Sequence, residues 1–307
     1  MNRVLHRKKS GRNEKAQLSP FTAVLLAILL VYIATLLFLL LWAFMTSFKN
    51  GLMDYPSNKI GFPKPFTMKN YLSMFQNFYV RVEGGAGETA HNVGIAQMFG
   101  YTLLYALGCA FTSTAVPLVT SYACARYNKV LSKILYTVVI VTMVLPIVGS
   151  LPAEINMAKS LGLYDRIWGL WLMKAHFLGM YFLVFFSFFK SLPMAYTEAA
   201  QVDGAGNLSV MLRIIFPLAK NVFFTVLLIN FITFWNDYQI PEVYLPSYPT
   251  IASGLFQMLF NNMAGKEFLR PTMRMTGAVV ILIPILIIFL IFQKRLLGNL
   301  TMGGVKG

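Results

Sequence analysis

Long apolar runs separated by short polar and basic segments dominate the chain. Between Phe21 and Met45 no charged residue occurs, and these 25 positions reach about 37 Å as a helix, enough to cross a hydrocarbon core of ~30 Å with some tilt. Sixteen of them are Leu, Ile, Val or Phe, so insertion is favourable by about 5 to 10 kcal/mol. Five further runs follow, at about 99–125, 132–151, 167–189, 218–240 and 276–292. The pattern predicts an all-α polytopic membrane protein with six transmembrane helices. Pro117, Pro146 and Pro284 interrupt three of the runs. Such breaks are tolerated where neighbouring helices satisfy the freed backbone groups, so they predict a packed bundle rather than six separate anchors.

Composition agrees with the pattern and narrows the class. Hydrophobic residues make up 57% of the 307 positions and charged ones only 12%, too apolar for a water-soluble globule or a disordered chain. The two cysteines, Cys109 and Cys124, lie in one apolar run and build no disulfide scaffold. A net charge of +15 raises nucleic acid as a partner, but the basic residues flank apolar runs, which the lipid bilayer explains better. With both termini cytoplasmic, the inner segments hold 15 basic and 3 acidic residues, and the outer loops 10 basic and 8 acidic. The positive-inside rule favours that orientation. Trp42, Trp168, Trp171 and Trp235 then fall toward the outer ends of their helices, where amphipathic rings favour the interface. Six basic residues precede the first run as in a signal peptide, yet the run exceeds the ~7–15 apolar residues of a cleavable signal and no small-x-small site follows, so it reads as a retained anchor.

The organisation is a basic cytoplasmic tail over 1–20, a transmembrane domain over 21–293 and a cytoplasmic tail over 294–307. Two outer loops are long, from about Thr46 to Met98, with a flexible glycine tip at 84–87, and from about Pro241 to Met275. Residues 157–166 read as a short interfacial helix. No internal repeat appears, so two-fold symmetry in an assembly requires a second chain.

Between the fourth and fifth runs, residues 191–217 are too polar to span. Pro193 and Thr197 are helix-start signals, Glu198-Ala199-Ala200 is a strong helix-forming run, and Asp203-Gly204 breaks it. A second short helix is expected to begin near Asn207 or Ser209 and to stop at Pro217. Asp203 can cap that helix, and Gly204 suits a turn with positive φ. The result is a helix-turn-helix under the bundle, with Glu198 and Asp203 accessible to another protein.

The order Glu198-Ala199-Ala200, Gly204, Ile214, Pro217 resembles the Glu-Ala-Ala signature of the membrane permease subunits of ATP-binding-cassette importers, with Phe216 where Leu is usual. The resemblance covers nearly the whole chain. Ser121 to Arg126, Trp235-Asn236-Asp237-Tyr238 and the end from Gly298 to Gly307 look like the carbohydrate branch, kin of the smaller membrane subunit of the maltose transporter. It implies a type I importer permease fold in a bacterial inner or plasma membrane. It also implies a second homologous permease, two cytoplasmic ATPase subunits that hold ATP and Mg, and an extracytoplasmic solute-binding protein delivering a carbohydrate. On this resemblance Glu198 to Gly204 form a coupling helix seated in the ATPase, and the chain is not itself an enzyme and carries no cofactor.

Trp235, Asn236, Asp237 and Tyr238 admit two readings, interfacial anchoring or sugar contact, since aromatic faces stack on sugar rings while Asn and Asp bond hydroxyls. Lys174 reads as lying inside the fourth span, where snorkelling explains it. His6, His91 and His176 are scattered and offer no metal site, and Gly265-Lys266 is followed by Glu267 rather than Ser or Thr, so no phosphate-binding loop exists. A permease for another solute is the nearer alternative. A secondary transporter or channel is the more distant one, for such proteins usually show inverted repeats and intramembrane carboxylates.

Overall fold

The computed structural model describes residues 19–83, 89–126, 129–145, 149–260 and 267–300. The basic tail with His6, the glycine tip, Pro146, Gly265-Lys266 and the final residues 301–307 lie outside that description.

Helix α1 (Pro20–Ser47) opens with Pro20 in its first turn and with the Ser19 hydroxyl accepting from the Thr22 amide at 3.2 Å. Both are start signals, one pre-setting φ and one satisfying an orphan N–H. No residue of α1 before Thr46 is buried, and its extensive neighbour is the last helix alone, α13 (Pro271–Leu300). An evenly apolar surface of this kind is stable only against lipid.

The long segment after α1 holds regular elements among its described residues. It carries α2 (Lys69–Asn77) and an antiparallel hairpin of β1 (Tyr79–Val82) and β2 (His91–Gly94), with Val80 opposite Val93. Strand alternation turns Val80, Val82 and Val93 inward onto Met74, Phe78, Ile95 and Met98. The hairpin is a departure from the purely helical expectation; four-residue strands lie below the length at which alternation stands out in sequence.

Helix α3 (Ile95–Arg126) is the hub, packed against α6 (Ile167–Met173), α7 (Met180–Ser191) and α10 (Phe216–Asn236). Its buried residues, among them Thr102, Tyr105, Ala106, Cys109, Ala110, Thr114, Leu118 and Tyr122, recur every three or four positions, as one helix face must. Pro117 stays inside this continuous helix. Helix α4 (Lys129–Val144) spans about 24 Å and touches α3 and α7. The short helix expected over 157–166 is displaced: α5 runs Leu151–Ser160, because Pro152 starts it and the chain turns at Gly162.

The fourth apolar run is not one helix. It ends as α6 at Met173, passes through a non-helical stretch, and resumes as α7 at Met180, so Lys174 caps a helix end rather than sitting inside a continuous helix. Gly179 at φ +128° makes the break possible, and the Ser113 hydroxyl bonds the freed Lys174 carbonyl at 3.2 Å.

The expected stop at Pro217 is also corrected. After α8 (Ala195–Val202), the chain re-enters helix as α9 (Asn207–Val210), widens into a π-turn over Met211–Ile215 and continues as α10. Pro217 lies inside the continuous helical stretch Asn207–Asn236, directly after the wide turn, which accommodates its ring and its missing N–H. Helices α11 (Gln239–Tyr244) and α12 (Ile251–Phe260) occupy the second long loop, and α13 passes straight through Pro284. Among the described residues, four helical stretches are long and apolar enough to cross a membrane, Pro20–Ser47, Ile95–Arg126, Asn207–Asn236 and Pro271–Gln293; α4 and α7 are shorter apolar helices.

Candidate functional site

At one end of the bundle α8 forms a bracket on α3, α7 and α10. Its inward residues Thr197 and Ala200 are buried, while Glu198, Ala199, Val202, Asp203 and Gly204 are exposed. Ala200 joins a cluster with Leu118, Tyr122, Phe185, Phe189, Val210, Ile215 and Ala219. The motif residue Ile214 packs beside this cluster, and Phe216 meets the rings of Tyr122 and Phe189 at 6.0 and 6.5 Å. Pro217 itself is exposed.

The glycine of the motif has a specific reason. The Ala205 amide donates to the Ala200 carbonyl at 2.9 Å and the Gly204 amide to the Gln201 carbonyl at 3.0 Å, with Gly204 at φ +81°. This is a Schellman closure of α8, including its apolar contact, since Ala205 packs against the cluster that holds Ala200. A Cβ at Gly204 would meet nothing within 4 Å, so the requirement is backbone conformation and not space. Gln201 Nε2 then bonds Asn207 Oδ1 at 3.1 Å, tying the two arms of the turn. Spacing and geometry agree: one short helix anchors through Ala200 and offers Glu198 and Asp203 outward.

A residue that the motif does not include locks the bracket to the hub. Arg126, the last residue of α3, donates from Nη2 to the Leu192 carbonyl at 3.0 Å and from Nη1 to the Met194 sulfur. A basic residue in a final helical turn was the available signal.

The Trp235–Tyr238 cluster lies at the opposite end of α10 and is divided. Trp235 is only 2% exposed, packs on Phe99 and Phe231, and donates to the Ile281 carbonyl at 3.3 Å. It therefore has no free face in this chain. Asp237 accepts from the Tyr105 hydroxyl at 2.7 Å through one oxygen and from the Ile240 amide at 3.2 Å through the other. Asn236 and Tyr238 are exposed; Asn236 bonds the Ile232 carbonyl, and Tyr238 stacks on Phe256 at 4.6 Å. Beyond them, Tyr244 bonds Glu154, and burial, helped by the Glu154 charge, pushes the Tyr244 phenol up. Sequence reading missed Asn230, buried within α10 and donating to Thr114 Oγ1 on α3 at 2.9 Å. An amide alone in an apolar run was its signal.

Residues 117–300 match the family model described as binding-protein-dependent transport system inner membrane component. The chain belongs to that family. The matched region holds the whole bracket and all of α10. Among curated proteins, the chain is 28% identical to the multiple sugar-binding transport system permease protein of Streptococcus mutans, over 85% of this chain and 88% of the relative. It is 27% identical to the galactooligosaccharides transport system permease protein of Bacillus subtilis, over 94% and 95%. It is 30% identical to the maltodextrin transport system permease protein of Streptococcus pneumoniae, over 67% and 73%. Among solved structures, a chain of a bacterial ABC transporter involved in the import of the acidic polysaccharide alginate superposes with a TM-score of 0.71 at 21% identity, over 89% of this chain and 95% of that one. The fold of this inner-membrane component is that of a type I importer permease.

Proposed function

We propose that this permease carries a sugar or oligosaccharide inward as one half of a translocation pathway, with both termini cytoplasmic and six membrane crossings. The second half is a homologous permease. Two cytoplasmic ATPase subunits bind beneath, holding ATP and Mg themselves, and an extracytoplasmic solute-binding protein delivers the substrate. The carbohydrate class rests on the relatives, which are named for sugars, galactooligosaccharides and maltodextrin.

The observation that carries the coupling role is the two-sidedness of α8. Glu198, Ala199, Asp203 and Gly204 face out for the ATPase to grip, while Ala200 sits in the cluster that also contains residues of α3, α7 and α10. Close-packed interiors transmit displacement instead of absorbing it, so moving α8 moves those three helices together. ATP drives the change only by binding one state of the assembly better than the other. Ile214 and Pro217 mark the π-turn where the bracket passes into α10. At the far end, Asn236 and Tyr238 are the accessible candidates for sugar contact, and Trp235 and Asp237 hold the helix end in place.

The test is uptake driven by ATP in the reconstituted assembly. Gly204→Pro removes the amide that bonds Gln201 and forces φ near −65°, so uptake falls roughly a hundredfold or more while the protein remains inserted. Glu198→Lys leaves membrane abundance unchanged and uncouples hydrolysis from uptake. Normal coupled uptake in both variants would refute the assignment.

A further inference from the structure

At the α8 end of the bundle a cleft of about 1130 Å³ opens between α3, α4 and α7. Its rim carries Arg126 from the last turn of α3, Ser132 and Lys133 from the start of α4, and Lys190 from the last turn of α7. Among the described residues, no acidic side chain lines it. Its wall is apolar and aromatic, with the Tyr136 and Phe186 rings 5.3 Å apart and Lys190 Nζ 5.8 Å from the Phe186 ring. The hydrogen bonds of Arg126 go to a carbonyl and a thioether, neither able to neutralise it.

All three cations flank apolar runs, but their helix positions differ. Arg126 and Lys190 sit at helix C-termini, where the macrodipole welcomes positive charge. Lys133 lies one turn into α4, whose first turn holds no acidic residue, so it gains no such compensation from its own helix. Three cations and an apolar wall between membrane helices form a site for a group with an anionic head and a hydrocarbon tail.

We infer that this cleft seats the phosphodiester headgroup of an anionic phospholipid, with Lys133 and Lys190 at the phosphate and an acyl chain along Tyr136 and Phe186. The proposal rests on the reading above only for the leaflet, which is the cytoplasmic one. Since Arg126 also clasps the link into α8, the bound lipid stands beside the coupling bracket.

The experiment uses the transport assembly purified through this full-length chain, with lipid retention read by native mass spectrometry. Phosphatidylglycerol is retained in preference to phosphatidylcholine, and Lys133→Gln with Lys190→Gln weakens phosphatidylglycerol binding about thirtyfold, each lysine near an anionic surface contributing roughly fivefold. Lys220→Gln, an exposed lysine on α10 outside the cleft, leaves retention unchanged. Equal retention of the two lipids, or full binding by the double variant, overturns the proposal. So does displacement by an equal concentration of inorganic phosphate, which would assign a free anion. Exclusion of lipid whenever the ATPase is bound also overturns it, by assigning the cleft to an acidic surface of that subunit. Lipid retention does not depend on uptake, so failure here and failure of the coupling assignment are separate results.

Discussion

The two ends of α10 use neighbouring residues in opposite ways. At the bracket end, the motif residues keep helical spacing, and their roles follow from it: Ala200 turns inward, Glu198 and Asp203 outward, and Gly204 closes the helix. At the far end, α10 stops at Asn236, and four consecutive residues take four partners: Ile281, Ile232, Tyr105 and Phe256. Where the backbone is periodic, position in sequence assigns a side chain to a face. Where the helix ends, the surrounding helices assign it.

The largest expected effect tests the faces of α8. Ala200→Glu places an unpaired carboxylate in the apolar cluster at a cost of about 3 kcal/mol or more, and the protein is lost from membranes. Ala199→Glu, one position over and exposed, changes membrane abundance by little, within about 0.5 kcal/mol in stability. Immunoblots of membrane fractions read both, and equal losses would erase the distinction between faces.

A middle effect tests how the far end is held. Tyr105→Phe leaves an Asp237 oxygen without its donor at a cost of about 1–3 kcal/mol in thermal stability in detergent. Combined with Asp237→Ala, the two changes are non-additive, because each removes the same bond. Strict additivity would show that the bond carries no energy.

The smallest effect separates the two aromatic residues of the cluster. Tyr238→Ala raises the half-saturating sugar concentration for uptake about fivefold, as for one lost aromatic contact of ~1 kcal/mol. Trp235→Phe leaves that concentration unchanged and lowers thermal stability, since its ring is buried against Phe99 and Phe231. Equal shifts in sugar dependence would return Trp235 to the pathway.

The membrane class, the polar bracket and the turn at Gly204 were legible because each rests on local chemistry: apolar length, helix propensity and a left-handed φ. Apolar length did not resolve how each run crosses. The break between Met173 and Met180 depends on Ser113 of α3 reaching the Lys174 carbonyl, a partner far off in sequence. Helix continuing past Pro217 depends on a π-turn that composition does not announce.

The sequence by itself determined that this chain lives in a bilayer and presents a short helix closed by glycine, because water rejects its apolar runs and only glycine readily accepts that turn. Only the tertiary structure decided which side chains are free. Trp235 and Tyr238 are alike in chemistry and adjacent in sequence, yet one is enclosed by α3 and α13 and the other is left exposed. Burial is a property of the space between helices, and that space exists only after they pack.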